Sequence, residues 1–401
     1  MILGIESTAH TFGVAVVKEG EILSNISDSF TTKSGQGGMI PTEVAEHHEK
    51  VKDKIYKQAL EKANIKESEI KAIALSNAPG LAPSLLEGMK FAKQLAEKLS
   101  IPIIPVNHCI AHLEITKIVG AKDPVLLYVS GANTQIISYA AEKYRIFGET
   151  LDMGVGNMID TFARYIGLGF PGGPKIAELA EKFITNNKNN PINKNQSDNR
   201  SSSINNQTDR VGGWDPSKKQ IPDLIELPYS IKGMDVSVSG LLTKLKQLYD
   251  KLPDKSKLNK VNSSTSSKVF QINKIPNEKS WRKPDLEQQY TVENLAYSLQ
   301  ETVFAMMVEA AERALAHTGK NELALGGGVC CNTRLQEMCK IMCKERGAAF
   351  FCPEKSLLVD NAAMIAYTGE IMFHSSSFEK DINKIDIKPR ERTDDVVVSW
   401  K

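Results

Sequence analysis

The chain has 401 residues, enough for two ordinary domains or one bilobal enzyme. Hydrophobic residues make up 41% and charged residues 24% of the chain, a balance typical of globular proteins. The 50 basic and 48 acidic residues leave a net charge of +2, which excludes a strongly basic nucleic-acid-binding protein. Any contact with RNA must therefore come from a local patch or from a partner subunit.

The first third of the chain predicts a sheet with flanking helices. Apolar runs at residues 2–6, 12–17 and 21–27 predict three strands, the last two joined by the turn Lys18-Glu19-Gly20. Helical periodicity follows over residues 41–63. We then expect a strand at 72–75, a helix at about 83–99, a strand at 101–106 and a helix beginning at His108.

The rest of the chain repeats this order of elements. Strands are predicted at 125–129, 134–140 and 144–150, then a helix at 157–166 and another after Pro174. A helix at 292–317, a strand running into Gly326, a helix from Asn332, a strand at 348–352 and a helix from Asp360 follow. Three strands and then alternating helices and strands, occurring twice, predict a duplicated α/β fold with a cleft between two lobes.

Two segments interrupt the second half. Residues 185–209 are mostly Asn, Ser, Lys, Gln and Asp, and residues 254–283 are similar in composition. Such segments bury too little apolar surface to offset chain entropy, so we expect mobile surface insertions. The expected organisation is a first lobe at 1–107, a second lobe at 108–380 that carries both insertions, and a tail at 381–401.

Cysteine usage and the N-terminus bear on location. The six cysteines contain no CxxC pair, and Cys330 and Cys331 are adjacent, which is poor geometry for a structural disulfide. No secretory or transit leader precedes the first strand, and the apolar runs are too short to span a bilayer. We expect a cytoplasmic protein with no membrane partner, or also a nuclear one if the source is eukaryotic.

A pair of histidines has the spacing of a metal site. His108 and His112 are four residues apart, which on a helix places both imidazoles on one face. The spacing alone occurs more often in incidental histidines. It is also that of HExxH zinc peptidases, but here Cys109 occupies the position of the general-base glutamate, so a peptidase is disfavoured.

Several glycine-rich turns and two aspartates could contact a ligand. Residues 326–332, 130–134 and 171–174 suit close approach of backbone to an anion, although Asn332 is equally suited to cap a helix. Asp160 could reach a ribose or a cation, or be an exposed helix residue. Asp360 fits a helix cap as well as a ligand. The chain contains neither a Walker A sequence nor a GxGxxG after a strand, so a P-loop or Rossmann site is not supported.

Taken together, these motifs resemble the universal tRNA threonylcarbamoyladenosine transferase family, TsaD/OSGEP. They occur in the family's order and cover nearly the whole chain outside the two insertions, at residues 4–11, 41–48, 106–114, 128–135, 148–152, 171–174, 235–240, 297–303, 327–332 and 360–364. The ending at 392–400 is similar to the archaeal and eukaryotic cytosolic branch. The resemblance implies the duplicated actin/sugar-kinase (ASKHA) fold, which is ribonuclease H-like.

Site residues follow from the same resemblance. It implies one metal ion held by His108, His112, Tyr128 and Asp360, with Fe(2+) favoured and Zn or Mn as alternatives. The residues implied to hold the nucleotide are Tyr128, Val129, Ser130, Gly131, Ala132, Asp160, Gly173 and Asn332.

This chain departs from the family pattern at two positions. Ala177 stands where the family often has a glutamate, so the neighbouring Glu178 is the candidate for that ribose contact. Ser7 stands where archaeal and eukaryotic relatives often have glycine. Catalytic residues are not assigned by the pattern, and Glu6 and His10 are candidates because they lie in a turn expected to face the cleft.

The implied reaction transfers a threonylcarbamoyl group from threonylcarbamoyl-AMP to N6 of the adenosine 3′-adjacent to the anticodon, in tRNAs reading ANN codons. The implied partners are tRNA and the KEOPS complex, including a small protein kinase. Two alternatives remain open at this point. One is an ATP-dependent phosphotransferase of the same fold, which would be expected to have a catalytic aspartate at the Glu6 turn. The other is a non-catalytic nucleotide-binding scaffold of an RNA-modifying complex.

Overall fold

The computed structural model describes residues 1–32, 39–189, 224–252, 290–376, 378 and 381–401. Its first sheet has the strand order β3-β2-β1-β4-β5. β1 is antiparallel to β2 and parallel to β4, β2 is antiparallel to β3, and β4 is parallel to β5. The strands are β1 Ile2–Glu6, β2 Thr11–Lys18, β3 Glu21–Ser29, β4 Ala72–Ala78 and β5 Ile103–Asn107.

The second sheet repeats this plan in the order β8-β7-β6-β11-β12. β6 pairs antiparallel with β7 and parallel with β11, as β1 does with β2 and β4. The strands are β6 Val125–Val129, β7 Thr134–Ala140, β8 Lys143–Glu149, β11 Glu322–Gly326 and β12 Ala349–Phe351, and a separate short hairpin is formed by β9 Ile231–Lys232 and β10 Asp235–Val236. The predicted duplicated α/β fold is confirmed.

The described helices alternate with the strands. They are α1 Pro41–Ala63, α2 Ala82–Leu99, α3 His108–Glu114, α4 Val155–Tyr165, α5 Gly173–Asn189, α6 Ser239–Asp250, α7 Val292–Thr318, α8 Thr333–Arg346, α9 Lys355–Leu358 and α10 Ala362–His374. The predicted elements agree within a few residues at their ends. Within the described ranges, no helix combines the length and apolar character needed to cross a membrane.

Each sheet has its own hydrophobic core. One apolar cluster lies between the second sheet and α4 to α8, with Phe162, Leu299 and Phe304 buried in it. Two clusters cover the two faces of the first sheet. The elements therefore bury one apolar face each against a sheet, the arrangement that holds a layered α/β lobe together.

Helix α10 packs on the first sheet, although chain order places it within the predicted second lobe of 108–380. Its small residues Ala362 and Ala366 lie against β1, where a Cβ on Gly4 would be 2.4 Å from the Ala362 carbonyl oxygen. Only glycine permits such a close approach of helix and strand. The chain thus crosses back to the first lobe just after Asp360.

The tail at 381–401 runs along both lobes. On the first lobe, Lys388 N donates to Asn77 O at 2.8 Å and Gly80 N donates to Pro389 O at 3.2 Å. On the second, the Arg392 guanidinium pairs with Glu149 at 3.0 Å. The tail therefore connects the two sheets.

Only the start of the predicted insertions falls within the described residues. Residues 185–189 form the end of α5, and the insertion at about 185–209 stays a prediction. The remaining residues of that insertion, and all of 254–283, lie outside the described residues.

Candidate metal and nucleotide site

Three predicted metal ligands converge at the bottom of the cleft. Asn107 caps α3, accepting from Cys109 N at 3.1 Å and Ile110 N at 3.3 Å, which fixes the start of the helix at His108. The rings of His108 and His112 are then one turn apart, with centroids separated by 4.8 Å. Asp360 Oδ1 lies 3.3 Å from His108 Nε2 and 3.6 Å from His112 Nε2. One ligand atom from each residue lies within 4.8 Å of the others.

The fourth predicted ligand, Tyr128, lies beside this group. It is the second-last residue of β6, and its ring centroid is 4.8 Å from that of His112 and 6.4 Å from that of His108. Burial raises the pKa of the phenol well above its ordinary value, and the nearby Cys109 and Asp360 raise it further. The hydroxyl is therefore neutral at physiological pH unless a cation lowers its pKa.

The donor set fits a divalent cation. His112 has a fully buried side chain, and both its ring nitrogens lack a hydrogen-bond partner among the described residues. Buried polar atoms are almost always paired, so an orphaned imidazole calls for an explanation. A cation between His108, His112 and Asp360 provides one, and two imidazoles with a carboxylate suit Zn(II), Mn(II) or Fe(II).

The carboxylates around His108 prepare the site for positive charge. Burial alone would lower the pKa of His108, but Glu6 and Asp360 outweigh it and hold this pKa well above its ordinary value. Burial would raise the pKa of Asp360, but His108 and His112 outweigh it and hold that pKa well below its ordinary value. The group therefore favours a bound positive charge, whether proton or metal ion.

Glu6 lies behind His108, in contrast to the expectation that it faces the cleft. It is fully buried, and its Oε2 accepts from His108 Nδ1 at 3.0 Å. Its Oε1 accepts from the backbone N of Thr8 at 2.7 Å and from the Thr8 hydroxyl at 2.5 Å. A carboxylate on Nδ1 fixes the tautomer that leaves Nε2 free for a cation. Glu6 therefore orients His108 and is buried away from the cleft.

The other catalytic candidate, His10, does line the cleft. Its imidazole packs edge-on against Phe170, with centroids 6.5 Å apart. His10 is thus exposed to the cleft in a way that Glu6 is not.

The cleft itself is a cavity of about 1580 Å³ lined by both lobes. This exceeds the roughly 300–1,000 Å³ of an ordinary small-molecule site. There is room for an adenylate and for a second nucleotide beside it. The predicted nucleotide-binding residues that line it are Tyr128, Ser130, Gly131, Ala132, Asp160, Gly173, Glu178 and Asn332. Val129 is instead fully buried in the core of the second sheet.

Glycines allow the loop after β6 to approach its neighbours closely. A Cβ on Gly156 would lie 2.6 Å from Ser130 O, and one on Gly327 would lie 2.4 Å from Val129 O. Gly327 also has a φ of +91°, a conformation that L side chains rarely adopt. The sequence therefore places glycine where three loops meet at the floor of the cleft.

Asp160 and Asn332 both have structural partners as well as access to the cleft. Asp160 Oδ1 accepts from Gly172 N at 2.7 Å, and burial raises the pKa of this carboxyl. Asn332 Oδ1 accepts from Arg334 N at 2.8 Å, so the predicted cap of α8 is confirmed. The Asn332 amide also donates to Gln300 Oε1 at 2.9 Å, which fixes its orientation.

Asp360 does not cap a helix. Asn361 does so instead, because its Oδ1 accepts from Met364 N at 2.9 Å at the start of α10. The capping interpretation of Asp360 is therefore wrong, and its carboxylate is free to face the histidines.

Glu178 is 65% exposed and pairs with Lys182 at 2.7 Å, while Ala177 lines the cleft beside it.

Sequence reasoning missed many residues of the cleft, and four of them are polar contacts or close its edges. Thr8 links Glu6 to His108, with its hydroxyl 3.2 Å from His108 Nδ1. Arg334 is held by two bonds from its guanidinium to Glu301, at 2.8 and 2.7 Å. Lys355 and Pro389 complete the lining from α9 and from the tail. Thr8 alone had a signal in the sequence, because it lies in the motif at residues 4–11.

Comparisons with known proteins agree with the family resemblance of the sequence. The model of the TsaD family, described as tRNA N6-adenosine threonylcarbamoyltransferase, matches residues 21–208 and 194–367. A Thermococcus kodakarensis protein of that name is 43% identical over 401 residues, covering 99% of each chain. A Drosophila melanogaster protein named as a probable member is 38% identical, covering 100% of this chain and 98% of its own.

A third relative is longer than this chain. It is a Methanosarcina mazei protein named probable bifunctional tRNA threonylcarbamoyladenosine biosynthesis protein. It is 42% identical, and the match covers 100% of this chain but 59% of the relative. Matches of this identity over the full chain, together with the family model, establish the assignment. The chain belongs to the TsaD family of tRNA N6-adenosine threonylcarbamoyltransferases.

Proposed function

We propose that this protein transfers the threonylcarbamoyl group of threonylcarbamoyl-AMP to N6 of the adenosine 3′-adjacent to the anticodon, in tRNAs reading ANN codons. The observation that carries the proposal is the convergence of His108, His112 and Asp360 at the floor of a two-lobed cleft. A cavity of about 1580 Å³ accommodates the adenylate donor together with the acceptor nucleotide.

The metal proposal is one ion per chain, held by His108, His112 and Asp360 with the Tyr128 hydroxyl as fourth donor. Fe(2+) is the ion proposed, with Zn or Mn as alternatives. Such an ion supplies Lewis acidity and a template for the oxygens of the donor. Glu6 and Thr8 hold His108 in the orientation that presents Nε2 to it.

The adenylate is proposed to lie along the β6 loop and α5. Ser130, Gly131 and Ala132 offer backbone close to the phosphate, and the Asp160 carboxylate is placed for a ribose hydroxyl. An apolar wall suits the adenine ring, formed by Ile159, Ile176, Leu299 and Phe304. Glu178 is proposed as the second ribose contact, which requires it to exchange Lys182 for the ligand.

In the proposed step, the N6 nitrogen attacks the carbonyl carbon of the donor, and the bond from that carbon to the phosphate oxygen breaks. AMP leaves with the electron pair of that bond, and N6 loses one proton. His10 is proposed to accept this proton, because its imidazole lines the cleft and Glu6 is buried away from it. Holding both reactants in one cleft supplies much of the acceleration, since the donor is already an activated anhydride.

The proposed partners are tRNA and a KEOPS-type assembly that includes a small protein kinase. A net charge of +2 agrees with a chain that holds tRNA weakly by itself. The Methanosarcina relative is named as bifunctional, and the match covers 59% of its length. The rest of that relative is long enough for a second activity, which supports a functional link of this kind. A cytoplasmic location is proposed, or also a nuclear one in a eukaryote.

The test is transfer by the purified protein, with its partner subunits, from synthetic threonylcarbamoyl-AMP to an ANN-reading tRNA. Mass spectrometry of the digested nucleosides should show threonylcarbamoyladenosine with wild type and a large loss with Asp360→Asn. His317→Ala, at an exposed histidine that does not line the cleft, is the matched control. ADP formation from ATP without tRNA modification would favour a phosphotransferase, and nucleotide binding without turnover would favour a scaffold.

A further inference from the structure

The turn between β1 and β2, residues 8–10, is held by a bond to each of its backbone carbonyls. Leu81 N donates to Thr8 O at 2.8 Å, and Phe30 N donates to His10 O at 2.8 Å. The carbonyl between them, Ala9 O, accepts instead from a side chain, the Nε2 of His48 at 3.0 Å. His48 is therefore the side chain whose replacement removes one of these three supports.

His48 is the inner member of a chain of contacts that reaches the surface. Its Nδ1 lies 3.4 Å from the Nδ1 of His47, and His47 Nε2 lies 2.9 Å from Asp28 Oδ1. His48 is fully buried, the His47 side chain is 19% exposed and that of Asp28 is 40% exposed. Phe12 packs on the ring of His48 and Phe30 on that of His47, at 5.5 and 5.9 Å between centroids.

The partners at the two ends determine how many protons the pair carries. The Ala9 carbonyl can only accept, so His48 Nε2 must bear a hydrogen. The Asp28 carboxylate can only accept, so His47 Nε2 must bear one too. If both rings were neutral, the two Nδ1 lone pairs would face each other at 3.4 Å. A third proton between them turns this repulsion into a hydrogen bond and gives the pair one positive charge.

The environment decides which ring carries the charge. Burial first, and then the neighbouring His47, lower the pKa of His48 to about 4 against the opposing effects of Ala9 O and Glu6. His47 is more exposed and is paired with a carboxylate. The charge therefore belongs on His47. The titratable and charged groups on the surrounding elements include Glu6 at the end of β1, His10 from the β1–β2 turn, Asp28 from β3, Glu49 and Lys52 from α1, and Glu87 from α2.

We propose that His48 is a positioning residue for the reaction. It is linked through an imidazolium at His47 to Asp28, and these three side chains form a relay. The relay holds the Ala9 carbonyl, so that His10 and Thr8 keep their places at the cleft. The inference rests on the proposed function, in which His10 lies against the reactants. Thr8 also lies close to the metal group, with its hydroxyl 3.2 Å from His108 Nδ1, but Glu6 holds His108 by a bond of its own, so metal binding does not depend on the relay.

The first experiment compares two replacements of His48 in the complete, partner-assembled protein. His48→Gln keeps an N–H near the position of Nε2, whereas His48→Leu fills the space without a donor. Transfer by His48→Leu should show a kcat lowered roughly tenfold or more at nearly unchanged KM for the donor, with His48→Gln recovering most of it. Metal content should stay at the wild-type value in both. Equal kcat in wild type and a folded His48→Leu variant overturns the proposal.

The second experiment reads the protons directly and needs no activity. In protein labelled with ¹⁵N-histidine, the seven histidines give separate ring-nitrogen signals. His47 should show both nitrogens protonated near neutral pH, and His48 should show a hydrogen on Nε2 alone. A neutral His47, or a His48 with its hydrogen on Nδ1, overturns the relay. If wild type shows the relay but modifies no tRNA, the relay stands and the proposed function fails.

A third variant covers the case in which His48→Leu does not fold. Asp28→Asn leaves an oxygen acceptor on the partly exposed end but removes the charge that stabilises the imidazolium. The contact from Asp28 to His47 is then weakened, so kcat in Asp28→Asn should fall in the same direction as in His48→Leu at nearly unchanged KM for the donor, and an unchanged kcat contradicts the proposal.

Discussion

Replacing His112 by alanine separates a metal ligand from a histidine that merely packs. The ring lies 4.8 Å from those of His108 and Tyr128, and its side chain is fully buried. Both nitrogens lack a hydrogen-bond partner among the described residues. If His112 is a ligand, the variant should fold, lose its bound ion and lose transfer activity together. If it only packs, stability alone should fall.

The size of the stability effect follows from two opposing terms. Loss of a packed ring costs about 2–4 kcal/mol, by analogy with other large-to-small changes in cores. Removing a buried polar group without a partner recovers about 1–3 kcal/mol. The metal-free variant should therefore be destabilised by no more than about 3 kcal/mol relative to metal-free wild type, which is a fall in Tm of a few degrees for a chain of this length.

The effect on transfer should be much larger than the effect on stability. A bound Lewis acid contributes several kcal/mol to the transition state, and a loss of about 3 kcal/mol corresponds to a rate lowered roughly 150-fold. Elemental analysis should show well below one ion per chain. His317→Ala, at the exposed end of α7, should keep both metal and activity. A folded His112→Ala protein with full metal content and full activity would refute the assignment.

Three further predictions concern other parts of the molecule. Glu6→Gln removes the carboxylate on His108 Nδ1 and should weaken metal affinity roughly 10–100-fold, measured by competition with a chelator, and unchanged affinity would contradict the orienting role. Lys401→Met removes a partner that lies 3.0 Å from the buried Glu114 carboxylate. Burial raises the pKa of Glu114, but Lys401 and Lys117 outweigh burial and hold this pKa below its ordinary value. A carboxyl group whose pKa is lowered by folding stabilises the fold at pH values above its pKa in the unfolded chain. The Tm of Lys401→Met should therefore fall fully relative to wild type near pH 7, and the difference should shrink as the pH falls below about 4. Gly88→Ala places a Cβ 1.9 Å from Ser7 Oγ and should cost about 1–3 kcal/mol in urea unfolding, and adding Ser7→Gly should restore most of it.

Local geometry explains which features of the site could be predicted. The pairing of His108 with His112 follows from helical spacing alone, and Asn107 supplies the cap that starts the helix at the right residue. The approach of Asp360 could not be derived from spacing, because it depends on how the second sheet and α10 are placed. The family resemblance supplied that residue, and the structure shows why it is free: Asn361 takes the cap.

The orientation of the Glu6 side chain could not be predicted from the sequence, for a different reason. The predicted strand at residues 2–6 has the observed bounds, but the sequence does not show whether the last side chain points into the cleft or away from it, because successive side chains of a strand point to opposite faces. β1 runs through Glu6 itself, and the carboxylate turns inward beneath His108. The turn that faces the cleft starts two residues later, at Thr8.

The lobe boundary illustrates a tertiary effect of small residues. Chain order assigns the helix after Asp360 to the second half, and its apolar character is equally suited to either sheet. Gly4 and Gly13 on the first sheet leave space that Ala362 fills, since a Cβ on Gly13 would lie only 3.3 Å from the Ala362 Cβ. A Cβ on Gly4 would clash with the backbone of α10 at 2.4 Å, and one on Gly13 would require a shift of a few tenths of an ångström, so these two glycines help to determine where α10 lies.

Because α10 packs on the first sheet, the proposed metal ligands come from elements of both lobes. His108 and His112 lie on α3, which follows the last strand of the first sheet, and Tyr128 lies on the central strand of the second. Asp360 lies where the chain leaves the second sheet and enters α10 on the first. Its carboxylate meets the two imidazoles at 3.3 and 3.6 Å, so the donor atoms keep their spacing only while the two sheets keep theirs. A cation held by these side chains would therefore couple the spacing of its donor atoms to the spacing of the two sheets.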